Sequence, residues 1–474
     1  MGQEIGGPAF APGDFSEFRI RLQAETRLLR RMIEERRFDE RTHAAGFELE
    51  AWLMDHTGYP AADNERFLER AADPMVVSEL SRFNVELNCT PQALRGDALR
   101  RLEADLAATW SRCQRVAHEL GDVLVAIGIL PTIREEDLCL ANMSPMNRYY
   151  ALNRQVLAAR DGRPIRLDIR GRERLALAHP DVMLEAATTS FQVHLQAPAS
   201  QAVRYHNAAV LLSAPMVAVS ANSPFLFQAS LWDETRIPLF EQAVDTSDPA
   251  HPEDCRVTFG EDWVREGLHE VFEDNLQRFA PLLPVLSDAP PGQLRHLRLH
   301  NGTIWRWNRP LVGFDDTGTP HLRIEHRVMP AGPSLVDMIA NAALFYGCAR
   351  VLATLPKPPE AMLDFGAVRE DFYRAARDGL QAHIRWLDGR THPVRALLED
   401  ELLPMARAGL AALGIDQADA GRYLDVIAGR VRTGQNGAAW QRAHLDAHGR
   451  DFMTLVANYL EHQRSGVPVH EWTI

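Results

Sequence analysis

Two carboxylates two residues apart are the first candidates for chemistry in this chain. In FELEAWL (47–53) apolar and polar residues alternate, so Phe47, Leu49, Ala51 and Leu53 share one side of a predicted strand and Glu48 and Glu50 the other. On a strand, residues i and i+2 lie roughly 6.5–7 Å apart on one face, so this pair could grip one cation or two neighbouring ones. The alternation recurs. The polar face is Asn84, Glu86 and Asn88 in FNVELN (83–88), Gln192, His194 and Gln196 in FQVHLQ (191–196), and Arg323, Glu325 and Arg327 in LRIEHRV (322–328). A less regular fifth segment is TIWRWNR (303–309). Hard cations such as Mg2+ take carboxylate oxygens and keep part of their water for substrate phosphates. A concave sheet bearing several carboxylates and a few arginines therefore suits a nucleotide–metal site, and no Walker loop or dinucleotide glycine fingerprint competes with it.

Each residue also has a plainer reading. Alternation alone describes a sheet with one face on the core and one in water. Glu48 and Glu50 fit a solvated face as well as a metal pair, and Glu86 alone fits it better. His194 could be a ligand, but a hydrogen-bonded sheet histidine is commoner. Arg323 and Arg327 could clamp phosphate or carboxylate bidentately, or form surface ion pairs. Trp305 and Trp307 could stack on an adenine, although packing is the default for indoles. Cys89 reads as a buried small residue rather than a nucleophile.

The elements that must position these residues follow from the same patterns. A charged helix is expected over about 16–37, capped by Ser16, and further helices over 97–120, 202–219 and 334–354, the last capped by Ser334. Three prolines at 356–359 form a joint, beyond which 360–464 is helical in pattern without an obvious strand. The expected organisation is a flexible tail at 1–14, an α+β body at 15–355 and a helical C-terminal portion at 356–474 packed on it.

Composition narrows the function. The chain has 474 residues, 46% of them hydrophobic and 24% charged, ordinary values for a globular protein. A net charge of −13 repels phosphate backbones, which argues against nucleic-acid binding. Lys357 is the only lysine, which nearly excludes Schiff-base and P-loop lysine chemistry. The five cysteines, Cys89, Cys113, Cys139, Cys255 and Cys348, are odd in number and contain no C-x-x-C pair, so reduced thiols and a cytoplasmic location are expected. No signal-peptide pattern opens the sequence, and Gly6 breaks the myristoylation pattern begun by Met1-Gly2. The longest apolar stretches are interrupted by polar residues, so no membrane association is expected.

Taken in order, the segments GFELEAW (46–52), VELNCTPQAL (85–94), MSPMNRYYALN (143–153), TTSFQVHLQ (188–196), SANSPFLF (220–227), NGTIWRWNRPLV (301–312) and HLRIEHRVMPAGPSLVDMIANAALFYG (321–347) resemble glutamate–cysteine ligase family 2, the bacterial carboxylate–amine ligase type. TGQNGAAWQ (433–441) resembles a late motif of some members. The resemblance implies a curved antiparallel sheet forming an open funnel with helices outside, as in glutamine synthetase and guanidino kinases. It implies ATP with Mg2+, or Mn2+, on Glu48, Glu50, Glu86 and Glu325. It puts Gln192 and His194 in the same cavity, near nucleotide or metal. It makes Arg327 and Arg309 candidates to neutralise the transferring phosphoryl group or to bind a substrate carboxylate, and Arg148 and Arg236 looser candidates for anion contacts; Trp305 would border the nucleotide. The expected reaction joins a carboxylate, the γ-carboxylate of glutamate, to an amine through an acyl phosphate. The expected partners are small molecules, with a homo-oligomer open. The competing readings are a phosphotransferase of guanidino kinase type and a non-catalytic binding relative.

Overall fold

The computed structural model describes residues 4–247 and 255–474. Its centre is an eight-stranded sheet: β1 (Ala44–Asp55), β2 (Val76–Ser78), β3 (Asn84–Asn88), β4 (Gln92–Ala93), β5 (Asp122–Val125), β6 (Phe191–Gln196), β7 (Asn308–Phe314) and β8 (Pro320–His326). The spatial order is β7-β8-β6-β1-β3-β2, with β4 and β5 also pairing β1, and every pairing is antiparallel. β1 is long enough to change partners. It pairs β6 over residues 44–49, β3 over 48–52 and β5 over 52–55. Passing partners along one strand bends the sheet into a curled half-barrel with helices outside, the predicted α+β architecture.

The apolar face is packed as the alternation requires. Phe47, Leu49, Ala51, Val85, Leu87, Phe191, Val193, Leu195 and Ile324 are all buried. Behind them lie the helices Ala202–Ser220 and Leu335–Ala353. The Tyr346 hydroxyl donates to the carbonyls of Gly46 and His194 at 3.0 and 3.1 Å, and His326 stacks on Phe345 with ring centroids 4.4 Å apart. By length and composition alone the 335–353 helix could cross a membrane. However, 83% of that window is buried in the protein, so its apolar surface forms core. Ser334 caps it as expected, its hydroxyl accepting from Asp337 N.

Three expectations change. The first helix spans Pro12–Glu34 rather than 16–37, because Pro12 sits at its first turn and the Asp14 carboxylate accepts from Ala11 N at 2.7 Å. The tail expected over 1–14 thus has its last residues in that helix, and its first three lie outside the described residues. The C-terminal portion does contain strands, a short pair of His383–Arg385 with Thr391–Pro393. One buried apolar cluster runs from Ile5 through the sheet to Trp472, so the C-terminal helices pack on the body.

The late motif is part of that packing. Gln441 Nε2 donates to Asn222 Oδ1 at 2.9 Å, and Asn222 Nδ2 donates to Ala331 O at 2.8 Å. NGAAWQ, SANSP and MPAGPS therefore meet behind the sheet. Gly332 has φ +80° there, and a side chain on it would run into Ala126 O.

Candidate active site

Strand register places the polar residues in rows across one face. Directly opposed residues of antiparallel strands point the same way. Glu325 faces both Arg309 and His194, and His194 faces Gly46. Glu48 faces Gln192 on one side and Asn88 on the other. Glu50 faces Glu86. On the other flank Arg323 faces Gln196, which faces Ala44. Glu48, Glu50, Glu86 and Glu325 thus come from three chain segments to one concave surface. All but Glu50, which is half-buried, are buried.

Within this face Glu48, His194 and Glu325 form a tight set, with one potential ligand atom from each lying within 4.8 Å of the others. His194 Nε2 stands 3.7 Å from Glu48 Oε1 and 3.6 Å from Glu325 Oε2, and this buried nitrogen has no hydrogen-bond partner. Burial pushes the His194 pKa down to about 4 against the pull of the two carboxylates, so the imidazole is neutral. An unpartnered neutral imidazole nitrogen between two carboxylates is a donor set that fits a divalent cation.

Glu50 and Glu86 form a second acidic group beside the first. Glu50 accepts from Ser190 N and from Gln192 Nε2, both at 2.7 Å, and Glu86 accepts from Asn88 Nδ2 at 2.9 Å. Burial, with the nearby Glu79, pushes Glu50 up to about 7, and burial with Glu48 and Glu79 pushes Glu86 well above the usual carboxylate range. Glu185 is raised for the same reasons: burial first, then Glu79 and Glu50. Carboxylates so crowded hold protons unless a cation takes their place.

The arginines divide the work. Arg309 holds Glu325 bidentately, with Nε at 3.1 Å and Nη2 at 3.0 Å. Arg327 reaches both Glu325 and Gln192 with Nη1, and its buried Nε has no partner. Burial opposes the charge of Glu325, but Arg309 and Arg327 outweigh it and hold this carboxyl well below its ordinary range.

Several expected site residues are placed differently. Arg309, expected beside Arg327 as a phosphoryl clamp, is committed to Glu325. Arg236 is buried and committed to protein partners, donating to the Val328 carbonyl at 2.6 Å and pairing with Glu234 at 3.2 Å, so it fixes the turn after Arg327 while its charge still reaches Glu50. Arg148 lies on the helix Asn147–Ala159, over the Tyr149 ring at 5.0 Å, and Tyr149 is near Glu79 and Glu86. The predicted strand at 303–309 divides. Trp305–Arg306 pairs in parallel with Val257–Thr258 outside the main sheet, and Trp305 meets Phe240 edge-on at 6.1 Å as a packing ring. Phe240 lies under Arg327 at 6.0 Å, so Trp305 is one ring removed from the site. Glu79 and Glu185 were missed. Glu79 follows β2 and Glu185 sits in the short 182–187 turn, where no period marks a face.

Comparison with known proteins agrees with this fold. The model of "Glutamate-cysteine ligase family 2 (GCS2)" matches residues 44–460. No curated protein matches. Among solved structures, a glutamate–cysteine ligase from Francisella tularensis in complex with AMP is similar over 92% of this chain and 96% of its own, with TM-score 0.57 and 11% identity. A bifunctional glutathione synthetase from Pasteurella multocida is similar over 89% of this chain and 53% of its own, with TM-score 0.55 and 10% identity. At these identities the likeness is one of fold.

Proposed function

The chain belongs to glutamate–cysteine ligase family 2, and from that premise we propose that it is an ATP- and Mg2+-dependent carboxylate–amine ligase acting on glutamate or a close analogue. The observation that carries the proposal is the Glu48–His194–Glu325 set, with its unpartnered imidazole nitrogen, on the sheet's polar face. These three residues would hold one divalent cation. Glu50 and Glu86, with Glu79 beside them, would hold a second. Bound there, Mg2+ would supply positive charge to neutralise nucleotide phosphates.

The protein's own side chains then have defined tasks. Arg309 keeps Glu325 ionised and oriented. Gln192 ties the two halves of the site by donating to Glu50 and accepting from Arg327. Arg327 offers its remaining N–H groups to the transferring phosphoryl group. The substrate carboxylate oxygen bonds to the γ-phosphorus as the β–γ bridge breaks and ADP leaves, giving an acyl phosphate. The amine nitrogen then bonds to the acyl carbon, phosphate leaves, and the nitrogen gives up a proton to yield the amide. Both steps need positioning and charge neutralisation rather than a protein nucleophile. Cys89, beside β1, is no such nucleophile, since burial pushes its thiol up to about 12.

The test is ADP release from Mg-ATP with glutamate, with a panel of amines, and with both. A ligase needs both partners for sustained turnover, with an amide as product. ADP release on a single partner with a stable phosphorylated product would replace this reading with a kinase. Absence of turnover with any pair would leave a binding protein.

A further inference from the structure

We propose that Glu4 is a positioning residue for the second cation group, because its carboxylate caps the helix that braces Glu79 and Glu185; this deepens the reading of Glu50, Glu86 and Glu79 as cation ligands and rests on it. The helix is Asn147–Ala159, which opens in the MSPMNRYYALN segment (143–153). Glu4 reaches it across 143 residues of sequence.

The helix ties down the two irregular segments that carry these acids. The Tyr149 hydroxyl donates to Ser78 O at 3.2 Å, one residue before Glu79. Just ahead of the helix, Ser144 N donates to Leu80 O at 2.8 Å, one residue after Glu79, and Ser144 Oγ donates to the Glu79 carbonyl itself. One turn past Tyr149, Asn153 Oδ1 accepts from Val182 N at 3.2 Å, at the start of the 182–187 turn that holds Glu185. Tyr149 is buried close to this acidic group. Burial pushes its hydroxyl well above the ordinary range, and Glu79, Glu86 and Glu185 add to the push. The same short helix thus touches the chain on both sides of Glu79 and the base of the Glu185 turn.

The first N–H groups of a helix need acceptors from outside it. Met146 stands at the cap position of this helix with extended backbone and no side-chain oxygen to offer. Glu4 takes over that task. One of its oxygens accepts from Asn147 N at 3.1 Å, and the other from Arg148 N at 3.2 Å and from Ile5 N at 2.7 Å. Its charge also suits the positive end of the helix dipole. The segment around it is anchored, since Asn147 Nδ2 donates to Ile5 O at 3.1 Å and the Ile5 side chain is buried. A first turn without its cap frays, and Tyr149 lies in that turn. Loss of Glu4 therefore loosens the hold on Glu79 while the strands that carry Glu48, His194 and Glu325 keep their pairing.

The experiment compares wild type with Glu4→Ala, with Glu4→Gln, and with Glu4→Ala combined with Met146→Ser, which gives the helix a cap of its own. Two quantities are read: hydrogen exchange of the Tyr149, Tyr150 and Ala151 amides in the metal-free protein, and Mn2+ binding by calorimetry. Wild type should bind two Mn2+, one of which is the ion that Glu86→Gln abolishes. Glu4→Ala should speed exchange of the three amides and weaken that ion roughly 3- to 10-fold, with the other ion and the melting temperature unchanged. Glu4→Gln, which keeps an acceptor and loses the charge, should fall between, and Met146→Ser should restore both readings. Equal weakening of both ions, weakening of neither, or recovery of the exchange rates without recovery of Mn2+ affinity would overturn the proposal. If wild type binds fewer than two Mn2+, the second cation group falls and the proposal with it. If these effects appear and no amine is ligated, the ligase reading fails and the role of Glu4 stands.

Discussion

Arg309 and Glu325 sit directly opposite each other on β7 and β8, and the guanidinium meets the carboxylate through two N–H donors at 3.1 and 3.0 Å. Glu325 is 1% exposed, so its charge survives because Arg309 and Arg327 flank it. A carboxylate that must serve a cation is oriented by the groups behind it, and losing such a group typically costs about 10- to 100-fold in metal affinity or activity. Arg309→Met should therefore raise the Mg2+ concentration needed for half-maximal ADP release by that factor while leaving the amine requirement unchanged. Arg309→Lys, a single point charge in place of a fork, should recover only part. An unaltered Mg2+ dependence in Arg309→Met would remove Arg309 from this role.

Replacing the cation ligands should separate folding from function. Glu48→Gln and His194→Gln keep side-chain volume and remove a ligand, so both should fold and lose Mn2+ binding measured by calorimetry, with ADP release falling at least about 100-fold. Glu325 needs a gentler change than alanine. Glu325→Ala would strand Arg309 and Arg327 as buried cations, a loss of about 3–5 kcal/mol of stability, whereas Glu325→Gln leaves acceptor and shape in place. A Glu325→Gln protein with wild-type turnover would move the cation site elsewhere.

The polar face was legible because a two-residue period names which side chains share a side, and antiparallel pairing then brings Glu48, Glu86, Gln192, His194 and Glu325 together whatever the loops do. What period cannot carry is register. That Arg309 falls opposite Glu325 depends on the β7–β8 turn, so its engagement there was invisible and it passed for an open clamp. Glu79 and Glu185 lie in a loop and a short turn, where a single acid has no pattern around it. Trp305 was misplaced because Trp305–Arg306 is a two-residue strand paired in parallel outside the sheet, too short for alternation to mean anything.

Buried histidines should make the fold acid-sensitive. Burial pushes His206 and His300 down to about 4, against about 6.5 in an unfolded chain. With folded values below unfolded ones, the unfolded chain takes up protons first on acidification. The stability tied to neutral His206 and His300 is therefore complete above about pH 6.5 and is lost as pH falls toward 4, on the order of 3 kcal/mol each. Glu241 acts in the opposite sense. Burial pushes it up to about 7, so it favours the fold as pH falls from 7 toward 4.5. The useful readout is thus a difference between proteins. His300→Gln keeps a donor for the Asn275 carbonyl, which Nε2 meets at 3.1 Å. Its urea midpoint should fall less than that of wild type between pH 7 and pH 5. Parallel pH profiles for the two proteins would show that His300 does not titrate across unfolding.

A wholly buried ion pair helps fasten the C-terminal helices to the body. Arg430 on the helix Gln417–Thr433 meets Asp337 on the 335–353 helix at 2.8 Å, and both side chains are almost wholly buried. Asp337 also accepts from Val469 N at 3.0 Å, and Arg430 donates to Asn341 Oδ1 at 2.6 Å. Removing one member leaves the other charge desolvated with its hydrogen bonds unmade, whereas removing both leaves no stranded charge. Arg430→Met should destabilise the protein by about 3–5 kcal/mol, and Asp337→Ala by a similar amount. The double variant should lose much less than the sum, because the two residues are in contact. Denaturant melts of the four proteins measure the coupling. Additive losses would mean that the pair contributes through separate neighbours rather than through each other.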